Sequence, residues 1–415
     1  MKRYGCIGKK LTHSFSKEIH ARLADYKYDL IELSEEEIAP FFEKKDFEAI
    51  NVTIPYKQTV IPYLDDISDI AMRIGAVNTV VNRGGRLYGY NTDYFGMKAL
   101  IERIGIDLAG KKVLILGTGG TSKTARVVAC DMGAAEIIVV SRKRSDGYID
   151  YPEAEAKHSD AEIIINTTPV GMYPDPEGCP IDVSAFERLE GVVDAVYNPL
   201  CTNLVLDAVE RGIKAEGGLY MLVMQAVVAV EKFLDTEISK DVADKVFEKV
   251  RAEKENVVLT GMPGSGKSTV GRLLTIDGYG LFDTDTEVEK RAGCSIKDLI
   301  EKNGEQYFRD LETDVIRQLS SESKRIISTG GGAVLRAENV RRLRRNGKVF
   351  FLYAPISRLC ATEDRPLSDT MEKLVALYEQ RINLYRACAD VTVADMGSAE
   401  AEAEYILSKR TEKIV

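Results

Sequence analysis

The segment Gly261-Met-Pro-Gly-Ser-Gly-Lys-Ser268 fits GxxxxGK[ST] without a mismatch. It follows the apolar run Val257-Val258-Leu259, and a helix can begin at Thr269. Such a strand–loop–helix binds nucleoside phosphates. Gly264, Ser265 and Gly266 let backbone N–H groups converge on phosphate oxygens, the helix start favours an anion, and Lys267 adds a mobile positive charge. Ser268 is of the right type to ligate Mg²⁺. A second glycine-rich turn, Gly117-Thr-Gly119-Gly120-Thr121, joins an apolar run to a helix-forming stretch. The next β-branched run, Ile137 to Val140, arrives where a βαβ dinucleotide unit should place it. An NAD-preferring site would offer Asp or Glu there. This chain offers Ser141-Arg142-Lys143-Arg144, whose cations suit a ribose 2′-phosphate, so NADP(H) is favoured over NAD. A basic surface loop is the bland alternative.

Further residues could give the triphosphate loop a second substrate. Phe282-Asp283-Thr-Asp285 reads as a strand end whose alternation points both carboxylates to one side. Phe308-Arg309-Asp310, Gly330-Gly331-Gly332, Asp364-Arg365-Pro366-Leu367 and Arg381-x-x-x-Tyr385 follow. Taken singly, each is a turn, a solvated arginine or a helix-surface charge. The three histidines are His13, His20 and His158, so chemistry beyond residue 158 must run without imidazole.

These residues need rigid elements to hold them. Short β-branched runs alternate with helical patterns, predicting an α/β fold with mostly parallel sheets. Strand candidates are 28–33, 48–54, 112–117, 136–141, 162–166, 192–196, 256–261, 325–329 and 348–353. Between Asp235 and Asn256, Val242, Val246 and Val250 recur every fourth residue, predicting a helix that closes a first unit. A short linker is expected at 251–255, and a second unit spans 256–415.

At 415 residues the chain is long enough for two or three domains. A composition 45% hydrophobic and 29% charged is that of a globular chain, and the net charge of −9 argues against a nucleic-acid surface. Seven scattered cysteines without a CxxC pair read as reduced thiols. The start lacks the apolar run of a signal peptide. The segment Met221 to Leu234 is interrupted by Gln225, Glu231 and Lys232 and is too short and polar to span a bilayer. A cytoplasmic protein without membrane partners is expected; its oligomeric state is not readable from the sequence.

In their order, the motifs from 256 to about 395 resemble shikimate kinase. The resemblance implies that Asp285, Arg309, Gly331 and Arg381 hold shikimate, with the arginines forking its carboxylate. Asp283 would support Mg²⁺ beside Ser268, and Arg365, on a lid, would reach the phosphates of ATP together with Lys267, Ser268 and Thr269. Without a histidine, Asp285 is the candidate to orient or deprotonate the attacking hydroxyl.

The first part resembles shikimate dehydrogenase over residues 1 to about 250. The motifs are His13-Ser14-Phe15-Ser16, Asn51-Val-Thr53-Ile-Pro-Tyr-Lys57, Gly75-Ala-Val-Asn78-Thr79 and Gly89-Tyr-Asn91-Thr92-Asp93. After the cofactor turn come Asn166-Thr-Thr-Pro-Val-Gly-Met172, Tyr197-Asn-Pro199 and Gly218-Leu-Tyr-Met221-Leu-Val-Met-Gln225. The resemblance implies that Ser14, Ser16, Thr53, Asn78, Tyr197 and Gln225 bind the ring acid and that Lys57 and Asp93 form the catalytic pair. Gly117, Gly119, Gly120, Thr121, Ser141, Arg142, Lys143 and Gly218 would line the cofactor. Its pattern departs at Lys17, where proline is usual, and at Ser141 and Lys143. The implied fold is a substrate-binding domain (1–98, completed by 226–250), a Rossmann NADP domain (99–225) and a P-loop kinase domain. The implied chemistry is reduction of 3-dehydroshikimate with NADPH, then phosphorylation of shikimate with ATP and Mg²⁺. Two alternatives are an NAD-dependent quinate/shikimate dehydrogenase fused to a small-molecule kinase, and a nucleotide-binding regulator with vestigial catalysis.

Overall fold

The structure is a computed structural model that describes residues 3–11, 15–145, 147–359 and 370–410. Ser14 and Arg365 lie outside the described residues. The chain divides into two compact units, Met1–Val250 and Arg251–Val415.

The first unit holds two sheets. One contains β1 (Tyr4–Gly8), β2 (Tyr28–Glu32), β3 (Ala49–Val52), β4 (Asp66–Ile67), β5 (Thr79–Arg83) and β6 (Arg86–Tyr90), in the order β2-β1-β3-β5-β6-β4. It is mixed rather than parallel, because β5 runs antiparallel to both β3 and β6. The β5–β6 hairpin turns on Gly84 and Gly85 at φ 62° and 89°, the left-handed pair that a two-residue turn needs. The other sheet contains β7 (Lys112–Leu116), β8 (Glu136–Val140), β9 (Ile163–Asn166), β10 (Gly191–Asp194) and β11 (Lys214–Glu216). It is all parallel in the order β11-β10-β9-β7-β8. Its central strands β7, β9 and β10 are mostly apolar and buried because both faces are covered, whereas the edge strand β11 reads Lys-Ala-Glu. Val113, Ile115, Ile163 and Ile165 enter one core, while Leu114, Leu116 and Ile164 enter the other.

Two helices carry site residues beside these sheets. Asp93–Arg103 and Leu219–Leu234 pack so closely that a Cβ on Gly96 would stand 2.4 Å from the Met221 carbonyl oxygen. The closing helix is Lys240–Lys254. Its inward stripe is Ala243, Val246, Phe247 and Val250, and the expected Val242 is 43% exposed. Residues 251–254, part of the expected linker, continue that helix, and Glu255 N–H donates to the Arg251 carbonyl.

The second unit has one parallel sheet of β12 (Asn256–Thr260), β13 (Gly280–Asp283), β14 (Arg325–Ser328), β15 (Gly347–Leu352) and β16 (Val391–Val393), ordered β13-β14-β12-β15-β16. Val257, Leu259 and Phe350 face one core; Val258, Val349 and Phe351 face the other. All nine strand candidates form strands. Those absent from the candidates include β4, β11 and β16, which have only two or three residues, and β1, in which two of five residues are glycine. Among the described residues no helix is long and apolar enough to cross a membrane.

Candidate active sites

In the first unit Lys57 follows β3 and is held by its own backbone, whose carbonyl accepts from Val77 N–H at 2.7 Å. Its ammonium reaches Asp93 Oδ2 at 2.6 Å, with side chains only 20% and 12% exposed. Asp93 is the first residue of its helix, where the helix field favours a carboxylate. The other oxygen, Oδ1, accepts from Asn78 Nδ2 at 2.9 Å. Asn78 Oδ1 in turn accepts from Thr92 N–H at 2.7 Å and from the Thr79 hydroxyl at 3.1 Å. Gln225 approaches from the Leu219–Leu234 helix, its Oε1 3.5 Å from Thr92 Oγ1.

The structure therefore gathers Lys57, Asn78, Asp93 and Gln225. Ser16 opens the helix Ser16–Leu23, and the preceding Phe15 packs edge-on against Tyr197 at 5.3 Å, so those two segments adjoin. The methyl of Thr53 lies against Gly8. The loop bearing Tyr197 is anchored by the fully buried Asp194, which accepts from Thr202 Oγ1 (2.6 Å), Val196 N–H and Asn166 Nδ2 (both 2.9 Å). Burial pushes that carboxyl up to about 6 against the three hydrogen bonds.

The dinucleotide turn leaves β7 at Gly117 and enters the helix Gly120–Asp131, whose first turn includes Thr121. A Cβ on Gly119 or Gly120 would meet no atom of the described residues within 4 Å, which leaves room for a pyrophosphate at the helix start. Ser141, Arg142 and Lys143 follow β8, with Lys143 N–H donating to Ser141 Oγ at 3.4 Å. Arg142 and Lys143 are exposed, whereas Arg144 is engaged by Glu153 at 3.3 Å. Gly218 is buried against β10, where a Cβ would stand 2.3 Å from the Ala195 carbonyl oxygen. Gly117 has φ 104°, and a Cβ there would lie 2.9 Å from Thr167 Oγ1. We expect Gly117→Ala to weaken NADPH binding about tenfold, ~1.4 kcal/mol. A fluorescence titration giving the parent Kd would contradict this.

In the second unit the phosphate loop leaves β12 with Gly264 and Gly266 at positive φ and Ser265 between them, and enters the helix Lys267–Leu273, which carries Ser268 and Thr269. The Lys267 ammonium folds over the loop and donates to the carbonyls of Gly261 and Met262, both at 2.9 Å. Ser268 and Ser328 hydroxyls both donate to Asp283 Oδ2, at 2.8 and 2.9 Å. This set of hard oxygens suits Mg²⁺ completed by water and phosphate.

Asp283 ends β13 and caps the helix Thr284–Ala292, accepting from Asp285 N–H at 3.1 Å. Asp285 is thus helical, and the expected strand alternation does not exist. The two carboxylates nevertheless line the same cavity of 590 Å³, with Lys267, Arg309, Gly331 and Arg381. Burial pushes Asp285 up to about 6, and the charges of Glu312 and Asp283 act in the same direction against Lys267 and Arg309.

Arg309 donates to Glu312 Oε2 at 2.8 Å and to Glu305 Oε1 at 3.1 Å. Arg381 is 4% exposed, its Nε has no partner among the described residues, and burial lowers its pKa. The glycine triplet permits close approach. A Cβ on Gly330 would lie 2.3 Å from Asp285 Oδ1, and one on Gly332 2.3 Å from Arg309 Nη1. Gly331 offers its carbonyl to the Tyr385 hydroxyl.

Sequence reasoning missed Glu312, although its i,i+3 spacing from Arg309 was a signal. It also missed Thr92 as a partner of Asn78, and Ser328, which nothing in the sequence marks.

Fold and site together define two classes of enzyme in one chain, a dinucleotide-dependent α/β oxidoreductase and a P-loop kinase. A family model described as shikimate dehydrogenase substrate binding domain matches residues 6–80, and one described as shikimate kinase matches residues 263–411. A shikimate dehydrogenase (NADP(+)) of Clostridium perfringens is 35% identical over 279 residues, spanning 60% of this chain and 99% of that protein. Among solved structures, shikimate dehydrogenase 1 of Peptoclostridium difficile is 38% identical with a TM-score of 0.56, covering 60% of this chain and 98% of that one. A chorismate mutase/shikimate 5-dehydrogenase fusion of Clostridium acetobutylicum is 34% identical with a TM-score of 0.57, covering 60% and 97%. The chain belongs to the shikimate dehydrogenase family and carries a shikimate kinase domain after it.

Proposed function

We propose that the first unit reduces 3-dehydroshikimate to shikimate with NADPH and that the second phosphorylates shikimate at its 3-hydroxyl with ATP and Mg²⁺. The observation that carries this reading is the half-buried Lys57–Asp93 pair, joined to Asn78 and standing among Thr92 and Gln225. When bound, NADPH supplies the hydride to the ketone carbon. Negative charge then grows on the ketone oxygen, and Lys57 both stabilises it and donates the proton. Asp93 orients that ammonium while Ser14, Ser16, Thr53, Asn78, Tyr197 and Gln225 hold the ring. Gly117, Gly119, Gly120 and Thr121 present the pyrophosphate site, and Arg142 and Lys143 take the 2′-phosphate.

In the second unit Arg309 and Arg381 fork the carboxylate of shikimate, with Gly331 beside them. Asp285 accepts the proton of the attacking hydroxyl. Lys267 and Arg365 would neutralise the phosphates of ATP, and Ser268 and Asp283 would hold Mg²⁺. The full chain tests this reading. With 3-dehydroshikimate and NADPH, absorbance should fall without ATP, and adding ATP and Mg²⁺ should yield one phosphorylated product per NADPH consumed. Inert 3-dehydroshikimate, or no phosphorylation of shikimate supplied directly, would remove the corresponding half.

A further inference from the structure

The helix Asp69–Ile74 lies beside the β1–β6 sheet, and the helix Gly120–Asp131 beside the β7–β11 sheet. Where they meet, Arg73 Nη1 and Nη2 donate to Asp131 Oδ2 and Oδ1 at 3.0 and 2.5 Å. The hydroxyl of Tyr94 donates to the same Oδ2 at 2.9 Å. Arg73 is 49% and Asp131 26% exposed, so the ion pair adds little to stability. Its planar two-point geometry and third donor instead fix direction.

What the node connects gives it a role. Tyr94 is the residue after Asp93. Arg73 precedes the segment in which the Ala76 carbonyl accepts from Asn91 Nδ2, Val77 N–H donates to the Lys57 carbonyl and Asn78 donates to Asp93. Asp131 is the last residue of the helix whose first residue, Gly120, belongs to the dinucleotide turn. That helix has 12 residues, a strut of about 18 Å. Both segments of the Lys57–Asp93 cluster are thereby bolted to the far end of the element that receives the cofactor.

We propose that Arg73, Asp131 and Tyr94 form a positioning node that sets where the Lys57–Asp93 pair stands relative to the dinucleotide turn. The inference rests on the assignment of Lys57 and Asp93 to the reduction. Reaction rate is steep in such placement, where an error of about 1 Å can cost about 100-fold. Binding of either ligand alone is far less sensitive to it.

A double-mutant cycle in the full chain tests the node. Arg73→Gln and Asp131→Asn should each lower kcat of reduction about tenfold. The double variant should lose no more than either single, with KM for 3-dehydroshikimate and Kd for NADPH within about threefold of the parent. Singles within twofold of the parent kcat, losses that multiply in the double, or an effect confined to KM would each overturn the proposal. Tyr94→Phe keeps the ring and removes only the hydroxyl. It should lower kcat about threefold, and it decides the matter alone should a charge variant fail to bind NADPH. Lys57→Ala is assayed alongside. If that variant still reduces, the catalytic assignment has failed; if it is inactive while the node variants match the parent, only the node has failed.

Discussion

Lys57→Ala should reduce 3-dehydroshikimate about 10³-fold more slowly in kcat than the parent, while phosphorylation of added shikimate by the same molecules stays within twofold. The magnitude follows from what the ammonium does. General acid catalysis is worth about 10²–10⁴-fold, and a positive charge against a growing alkoxide adds to it. Lys57 also neutralises Asp93, so truncation leaves a carboxylate at 12% exposure facing the developing negative charge. That second penalty distinguishes Lys57→Ala from Lys57→Met/Asp93→Asn, which removes both charges. The double variant should recover part of the lost rate if repulsion from Asp93 contributes, and none if proton donation alone is missing. The measurement is kcat and KM from NADPH consumption, with the kinase reaction of the same preparation as the control for integrity. A Lys57→Ala enzyme turning over at the parent rate would remove Lys57 from the chemistry.

How far the sequence showed this site depended on the kind of constraint each residue satisfies. The loops at Gly117–Gly120 and Gly261–Ser268 were legible because backbone approach to phosphate requires glycine at fixed spacing and a charged or hydroxyl residue at its end. Parallel strands such as β7 and β15 were legible as continuous apolar runs. Partners assembled only by tertiary structure were not. Glu312 is fully buried because Arg309 pairs with it, yet in sequence it resembles any helix-surface acid. Asn51 accepts from the Tyr28 hydroxyl and donates to Thr79, building a polar layer beneath Asn78 from strands far apart in the chain. Val242 shows the opposite failure. It fits the inward stripe by spacing, but Ala243 and Phe247 fill the buried face and leave Val242 outside. The carboxylates of Asp283 and Asp285 were placed on one cavity for the wrong reason. Asp283 caps a helix, and the turn it caps, not a strand's alternation, carries Asp285 inward.

Asp285→Asn should lower kcat of phosphorylation about 10³-fold and at the same time stabilise the second unit at neutral pH. Both effects come from one cause, a carboxylate held in a buried position. Burial, with Glu312 and Asp283 nearby, raises its pKa from 3.8 to about 6. A carboxyl whose folded pKa exceeds its unfolded value binds its proton more tightly when folded. Its stabilising contribution is therefore complete below about pH 4 and is lost as pH rises through about 6. At pH 7 the ionised group costs on the order of 3 kcal/mol. The amide carries no charge, so the cost disappears, and its N–H₂ can serve the buried Glu312 Oε1, which has no hydrogen-bond partner among the described residues. Amide hydrogen exchange from β12 and β14 should accordingly be slower in Asp285→Asn than in the parent at pH 7, and equal to it near pH 4. On the proposed mechanism the ionised form takes the hydroxyl proton, so parental kcat/KM for shikimate should fall as pH drops through about 6. In the variant the residual rate should lack that limb. An Asp285→Asn enzyme both inactive and less protected at pH 7 would mean that Asp285 supports the fold rather than being held against it for the reaction.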